Sequence, residues 1–168
     1  MIEAGTAGSL PRPRIAMGLA AALVCILLDQ ASKWWILEVV MQPPRVIEVT
    51  SFFNLVLAWN RGVSFSLFYS HHDAMPWVLS ALALGIVAYL LNWLRRAERA
   101  WTALALGLVI GGALGNVIDR VRFQAVVDFL DVHAAGWHWP AFNVADAGIC
   151  VGVAMLVLDG LFVRPEKS

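Results

Sequence analysis

Residues Trp101–Ile118 read WTALALGLVIGGALGNVI and run straight into Asp119-Arg120. The run carries no charged side chain and is close to the roughly 20 apolar residues that a helix needs to cross a hydrocarbon core of about 30 Å. Gly107, Gly111 and Gly115 recur at every fourth position, which marks one helix face where a second backbone can come close. Three other stretches have the same apolar character: Ile15–Leu37, Pro76–Leu94 and Asn143–Phe162, the last with Gly148 and Gly152 at the same spacing. Backbone in lipid must satisfy its own hydrogen bonds, so these stretches predict an all-α membrane protein built as a four-transmembrane-helix bundle. Composition agrees, since 60% of the 168 residues are hydrophobic and only 14% are charged. That excludes an ordinary water-soluble domain. With a net charge of zero and no basic stripe interleaved with aromatics, nucleic acid is not an expected partner.

Basic residues orient the bundle, because cytoplasmic loops collect Lys and Arg near helix ends. Arg12 and Arg14 precede the first helix, Arg95, Arg96 and Arg99 follow the second, and Arg164 and Lys167 follow the fourth. The expectation is therefore cytoplasmic tails at 1–14 and 163–168, a cytoplasmic loop at 95–100, and extracytoplasmic segments at 38–75 and 119–142. In the first of these, Arg45–Trp59 is rich in Val, Ile, Thr, Phe and Leu and is bounded by Pro43-Pro44 and Asn60-Arg61-Gly62, which predicts a small β-sheet on the membrane surface. Val63–Tyr69 reads as a short interfacial helix. The pair His71-His72 has no ligand partners at helical spacing, and Cys25 and Cys150 lie singly in apolar helices, so no metal site is expected. Most of the Trp residues fall near predicted helix ends or in the outer segments, as headgroup anchors do.

Ionisable groups inside a membrane are costly and need a partner or a purpose. Asp29 stands one turn before Lys33, which predicts an intrahelical pair. Asp119 next to Arg120 reads as an ion pair at the outer end of the third helix. Asp131 reads as solvated, and Asp159 as a group near the inner end of the fourth helix that reaches water. Asp128, in Val126-Val127-Asp128-Phe129, and Asp146, in Asn143-Val144-Ala145-Asp146, are carboxylates in apolar surroundings at the same boundary. If the glycine-bearing helices pack as antiparallel neighbours, the two acids come to one level. Close carboxyl groups cannot both ionise easily, so one holds a proton while the other is charged. Such a pair can hydrolyse an amide or relay protons, and residue types alone leave both open.

Five motifs then stand in order: Asp29-Gln30-Ala31-Ser32-Lys33; Asn60-Arg61-Gly62-Val63-Ser64-Phe65; Gly111-Gly112-Ala113-Leu114-Gly115-Asn116-Val117-Ile118-Asp119-Arg120; Val126-Val127-Asp128-Phe129; and Phe142-Asn143-Val144-Ala145-Asp146. Through these the chain resembles the lipoprotein signal peptidases, the signal peptidase II family of bacterial inner membranes, from its first helix to its last. The resemblance implies an aspartic endopeptidase that removes signal peptides from diacylglyceryl-modified prolipoproteins by cutting before the lipidated Cys. It implies Asp128 and Asp146 as the catalytic dyad, with Asp29, Lys33, Asn60, Gly62, Gly112, Asn116, Asp119, Arg120 and Asn143 holding the site or contacting substrate. It also implies a flap formed by the first outer segment, sensitivity to the globomycin class of inhibitors, and no cofactor. The expected partners are prolipoprotein substrates and membrane lipid, with the chain acting as a monomer. The alternative reading is a small proton or ion transporter, against which the third helix is wholly apolar from Ala103 to Ile110.

Overall fold

The computed structural model describes residues 13–62 and 74–162. The readings made for Val63–Tyr69, for His71-His72, for 163–168 and for most of the N-terminal tail lie outside these residues. Four helices are long and apolar enough to cross a membrane: α1 (Pro13–Trp35), α2 (Met75–Arg95), α3 (Ala100–Phe123) and α4 (Val144–Phe162). At its C-terminal end α1 widens into a π-helical turn, Ile36–Val40. Between and beyond the helices the chain forms one antiparallel sheet in the order β1-β2-β3-β4, from β1 (Ile47–Thr50), β2 (Phe53–Asn60), β3 (Val126–Ala134) and β4 (Trp137–His138).

α3 is the central helix: most of its apolar residues are buried, whereas α1, α2 and α4 leave most of theirs facing outward. Small residues make this possible. A Cβ on Gly111 would stand 2.5 Å from the Ala22 carbonyl oxygen of α1, and one on Gly152 of α4 would stand 2.6 Å from the Ala105 carbonyl oxygen of α3. Backbones so close gain packing that lipid tails cannot supply. Outward-facing Leu19, Leu23, Leu27, Leu82, Val151 and Val157 are about half exposed, as lipid-facing side chains are.

Two apolar cores result. Ala22, Leu90, Leu94, Ala103, Leu106 and Ile110 fill the bundle. Ile36, Met41 and Phe129 join the π-helical turn to the sheet, with Ile47, Leu55 and Leu57 packed against them. At the end away from the sheet, Arg99 and Thr102 both bind Asp159, so that acid is paired rather than simply solvated.

The sheet departs from the expectation in its second half. Residues 119–142, read as a loop, contain the last turn of α3 and the strands β3 and β4. The helix ends at Gln124, whose left-handed φ of 55° turns the chain and whose N–H bonds the Arg120 carbonyl at 3.0 Å. The chain then enters β3 almost at once, and β2 pairs with it from Phe53↔Val132 to Asn60↔Val126, with a register shift between Leu55 and Ala58. That irregularity brings Ala58 opposite Asp128, a local bend of the kind that re-aims a strand side chain.

Candidate active site

Asp128 is buried in β3 with 3% of its surface exposed, and each of its oxygens receives one amide N–H. Asn60 Nδ2 donates to Oδ2 at 3.0 Å, and Asn143 Nδ2 donates to Oδ1 at 2.7 Å. Asn60 closes β2, where its own Oδ1 accepts the Gly62 N–H at 3.0 Å. That turn needs φ of +105° at Gly62, a region that side-chain-bearing residues rarely adopt.

Asp146 is placed by the start of α4. Asn143 precedes the helix and accepts the Asp146 N–H on Oδ1 at 2.9 Å, while Asp146 Oδ2 reaches back to the Asn143 N–H at 3.2 Å. This reciprocal arrangement is a capping box, which satisfies two N–H groups that a helix start leaves free. The positive end of the helix also favours a carboxylate there. The other oxygen, Oδ1, accepts Asn116 Nδ2 from α3 at 2.8 Å. Asn143, fully buried, thus touches both acids: its side-chain amide donates to the Asp128 carboxylate and its backbone N–H to the Asp146 carboxylate.

Behind Asn116 lies a buried charge cluster. Lys33 Nζ lies 2.8 Å from Asp29 Oδ2 and 2.8 Å from Asp119 Oδ2, and 3.2 Å from Asn116 Oδ1. Asp29 Oδ1 accepts the Ala145 N–H of α4 at 2.9 Å, and Asp119 Oδ2 accepts the Val127 N–H of β3 at 3.0 Å. The cluster therefore anchors both segments that carry the acids. Gln30 spans it, donating to Asp119 Oδ1 at 3.0 Å and to Asp29 Oδ2 at 3.1 Å.

Each asparagine has its polarity set by a partner of its carbonyl oxygen: the Gly62 N–H for Asn60, Lys33 for Asn116, the Asp146 N–H for Asn143. All three present N–H to the acids. Burial pushes the Asp128 carboxyl up to about 6; the Asn60 and Asn143 N–H groups oppose the rise, and the negative charge of Asp146 adds to it. A carboxyl raised toward neutrality can exchange a proton there, which suits it to acid–base work. Among the described residues, no group of three or more His, Cys, Asp or Glu is arranged to hold a metal ion.

The structure thus brings together Asp29, Lys33, Asn60, Asn116, Asp119, Asp128, Asn143 and Asp146, with Gly62 in the Asn60 turn and Gly112 where α3 meets the Ala145 carbonyl. The intrahelical Asp29–Lys33 pair forms. Asp119, however, pairs with Lys33 and not with its neighbour Arg120. Successive residues on a helix do not face each other. Arg120 has no carboxylate partner among the described residues, and its Nη1 meets only the Asn116 carbonyl at 3.4 Å. Asp131 is buried, not solvated, and holds His138 Nδ1 at 2.9 Å and Asn54 Nδ2 at 2.9 Å. Sequence reasoning missed Gln30, although it lies within the Asp29–Lys33 motif.

The chain has clear likenesses. A sequence profile described as Signal peptidase (SPase) II matches residues 21–162. A lipoprotein signal peptidase of Methylorubrum extorquens (strain PA1) is 46% identical over 152 residues, 89% of this chain and 88% of that protein. One of Rhizorhabdus wittichii is 44% identical over 163 residues, 96% of this chain and 93% of that protein. A solved structure described as a bacterial membrane enzyme, obtained by the in meso method at 1.9 Å resolution, aligns with a TM-score of 0.76 and 27% identity, over 89% of this chain and 96% of that one.

Proposed function

Since this chain belongs to the signal peptidase II family, we propose that it is the peptidase that removes signal peptides from lipoprotein precursors, with Asp128 and Asp146 as its catalytic dyad. As a multi-pass bacterial membrane protein it meets its substrate in the bilayer. The precursor's diacylglyceryl-modified Cys keeps its acyl chains in lipid, and the bond before that Cys lies at the interface where β3 and α4 carry the two acids. In this reading the sheet is extracytoplasmic and both termini are cytoplasmic, in the inner membrane.

The dyad works with one proton between two carboxyl groups. Water stands between them; the charged acid takes its proton as the oxygen attacks the scissile carbonyl carbon, and the neutral acid protonates the carbonyl oxygen. The resulting diol collapses as a proton passes to the leaving nitrogen, the C–N bond breaks, and the pair regains its single shared proton. The N–H groups from Asn60, Asn116 and Asn143 hold the carboxylates in place throughout, so little reorganisation is needed. Arg120, without a carboxylate partner among the described residues, is left to hold a substrate carbonyl.

The observation that carries this reading is the shared Asn143, which ties both acids into one unit. The test is cleavage of a diacylated prolipoprotein by the purified full-length protein in detergent. Wild type should cut before the lipidated Cys, and Asp128→Asn and Asp146→Asn should fold but not cut. Cleavage surviving in either variant removes that acid from the mechanism. A folded wild type that leaves the substrate intact, yet passes protons across vesicles, would establish the ion-path alternative instead.

A further inference from the structure

Three buried charges behind the site need a reason. Lys33, Asp29 and Asp119 are 2%, 0% and 1% exposed. A buried ion triad is often no more stabilising than apolar side chains of equal volume, so holding helices together does not by itself account for it. Of the ammonium's three N–H donors, one goes to Asp29 Oδ2 and one to Asn116 Oδ1, and the nitrogen lies 2.8 Å from Asp119 Oδ2 as an ion pair. Asn116 Oδ1 also accepts Asn143 Nδ2 at 3.2 Å, which fills both of its lone pairs.

A flipped Asn116 amide would set its NH₂ against the Lys33 ammonium and the Asn143 NH₂. It would also turn its carbonyl oxygen toward the Asp146 carboxylate. All three contacts are repulsive, and the one with the ammonium, the only one that sets charge against the amide N–H, exists because Lys33 is there. We propose that Lys33 is a positioning residue for the dyad: by occupying the Asn116 carbonyl oxygen it forces the amide N–H onto Asp146, so the buried cation acts on the reaction through one side-chain amide. This inference rests on the dyad reading above. The charged and titratable groups around Asp146 are Asp29 and Lys33 from α1, Asp119 and Arg120 from α3, and Asp128 from β3. Of these, Lys33 alone binds the oxygen that fixes the direction of the Asn116 amide.

The test is the pH dependence of kcat and KM for cleavage of a synthetic peptide carrying a diacylglyceryl-Cys, with the full-length protein in detergent, for wild type, Lys33→Met and Asn116→Asp. Loss of one oriented donor predicts that kcat of Lys33→Met falls by about a hundredfold at little cost in KM. The acidic limb of its profile should move to higher pH, because the dyad loses both an N–H and a nearby positive charge that favour its charged form. A folded Lys33→Met whose profile keeps the wild-type shape would show a structural role only and overturn the proposal. If Lys33→Met does not fold, substitution at Asn116 decides. Asn116→Asp keeps an oxygen for Lys33 but adds a charge that itself raises the dyad, so Asn116→Leu, which removes the donor without adding charge, is run beside it: an unmoved acidic limb in either variant overturns the proposal, and an upward shift in both supports it. A wild type that fails to cleave would remove the dyad reading itself, a separate failure.

Discussion

Ala145 donates its backbone N–H to Asp29 Oδ1 at 2.9 Å, a bond between residues 116 positions apart. The first turn of α4 is therefore capped from α1, and the carboxylate that caps it is the same one that pairs with Lys33. Asp29 thus acts on the height and tilt of the helix that carries Asp146, without touching Asp146 itself.

Substitution at Asp29 should separate these effects. Asp29→Asn keeps an oxygen for Ala145 and leaves Lys33 its bond to Asp119, so it should fold, melt at a lower temperature and retain reduced cleavage. Asp29→Leu removes both contacts and should lose on the order of 3 kcal/mol. Thermal unfolding in detergent, paired with the cleavage assay, checks both. Complete loss of activity in a normally folded Asp29→Asn would instead place Asp29 among the reacting groups.

Asp128 predicts a pH dependence of stability with a definite sign. Its carboxyl is raised from 3.8 to about 6 by burial, so the folded protein binds this proton more tightly than the unfolded chain does. The associated stability is fully present below about 4 and is lost as pH rises through about 6. Asp128→Asn has no such proton to lose. The stability of Asp128→Asn relative to wild type should therefore improve as pH is raised from 4 to 7, whichever is the more stable at the start. A difference that stays flat across that range would show that burial does not perturb this carboxyl.

Much of this arrangement is legible in the amino-acid sequence. Long apolar runs mark the helices, and Asp128 and Asp146 stand out as acids in apolar surroundings. β3 was not legible as a strand: Val126 to Phe129 are all buried, so its pattern is a short apolar run without the alternation that signals a half-exposed strand. The partner of Asp119 does not follow from adjacency in sequence: Arg120 projects from another face of the helix, and Lys33 arrives from α1. The capping box is written in Asn143-Val144-Ala145-Asp146, but its dual use, starting a helix and orienting the acid proposed for the dyad, appears only when Asn116 is seen on the opposite side. Bonds such as Asp29 to Ala145 belong to the fold and have no local signature.

Asp131 gives a contrasting case, an acid in the same strand with a structural task. His138 holds its carboxyl below the usual range, with Asn54 adding to the effect, and the contact ties β3 to β4 beside the Ala135-Gly136 turn, where φ is +50° and +80°. For a carboxyl lowered by folding, the stability it adds is present above about 4 and is lost as pH falls through its folded value. Asp131→Asn should keep cleavage at neutral pH. It should melt lower than wild type there, and the two should converge under strongly acid conditions. Loss of cleavage without loss of stability would move Asp131 into the chemistry.

The glycines allow a test of how closely activity follows the placement of α4. An ideal Cβ on Gly112 would collide with the Ala145 carbonyl oxygen and stand 2.7 Å from Ile149 Cγ1, whereas one on Gly85, on α2, would meet nothing within 4 Å. Gly85→Ala should be neutral or stabilising by up to about 1 kcal/mol, because alanine is the better helix former. Gly112→Ala must push back the backbone one residue before Asp146, at a cost on the order of 1–3 kcal/mol. A shift of a few tenths of an ångström there lengthens the bonds from Asn116 and Asn143 that aim the carboxylate, so kcat should fall further than the loss of folded protein explains. Equal behaviour of the two variants in unfolding and cleavage would show that α4 has room to move without disturbing the reaction.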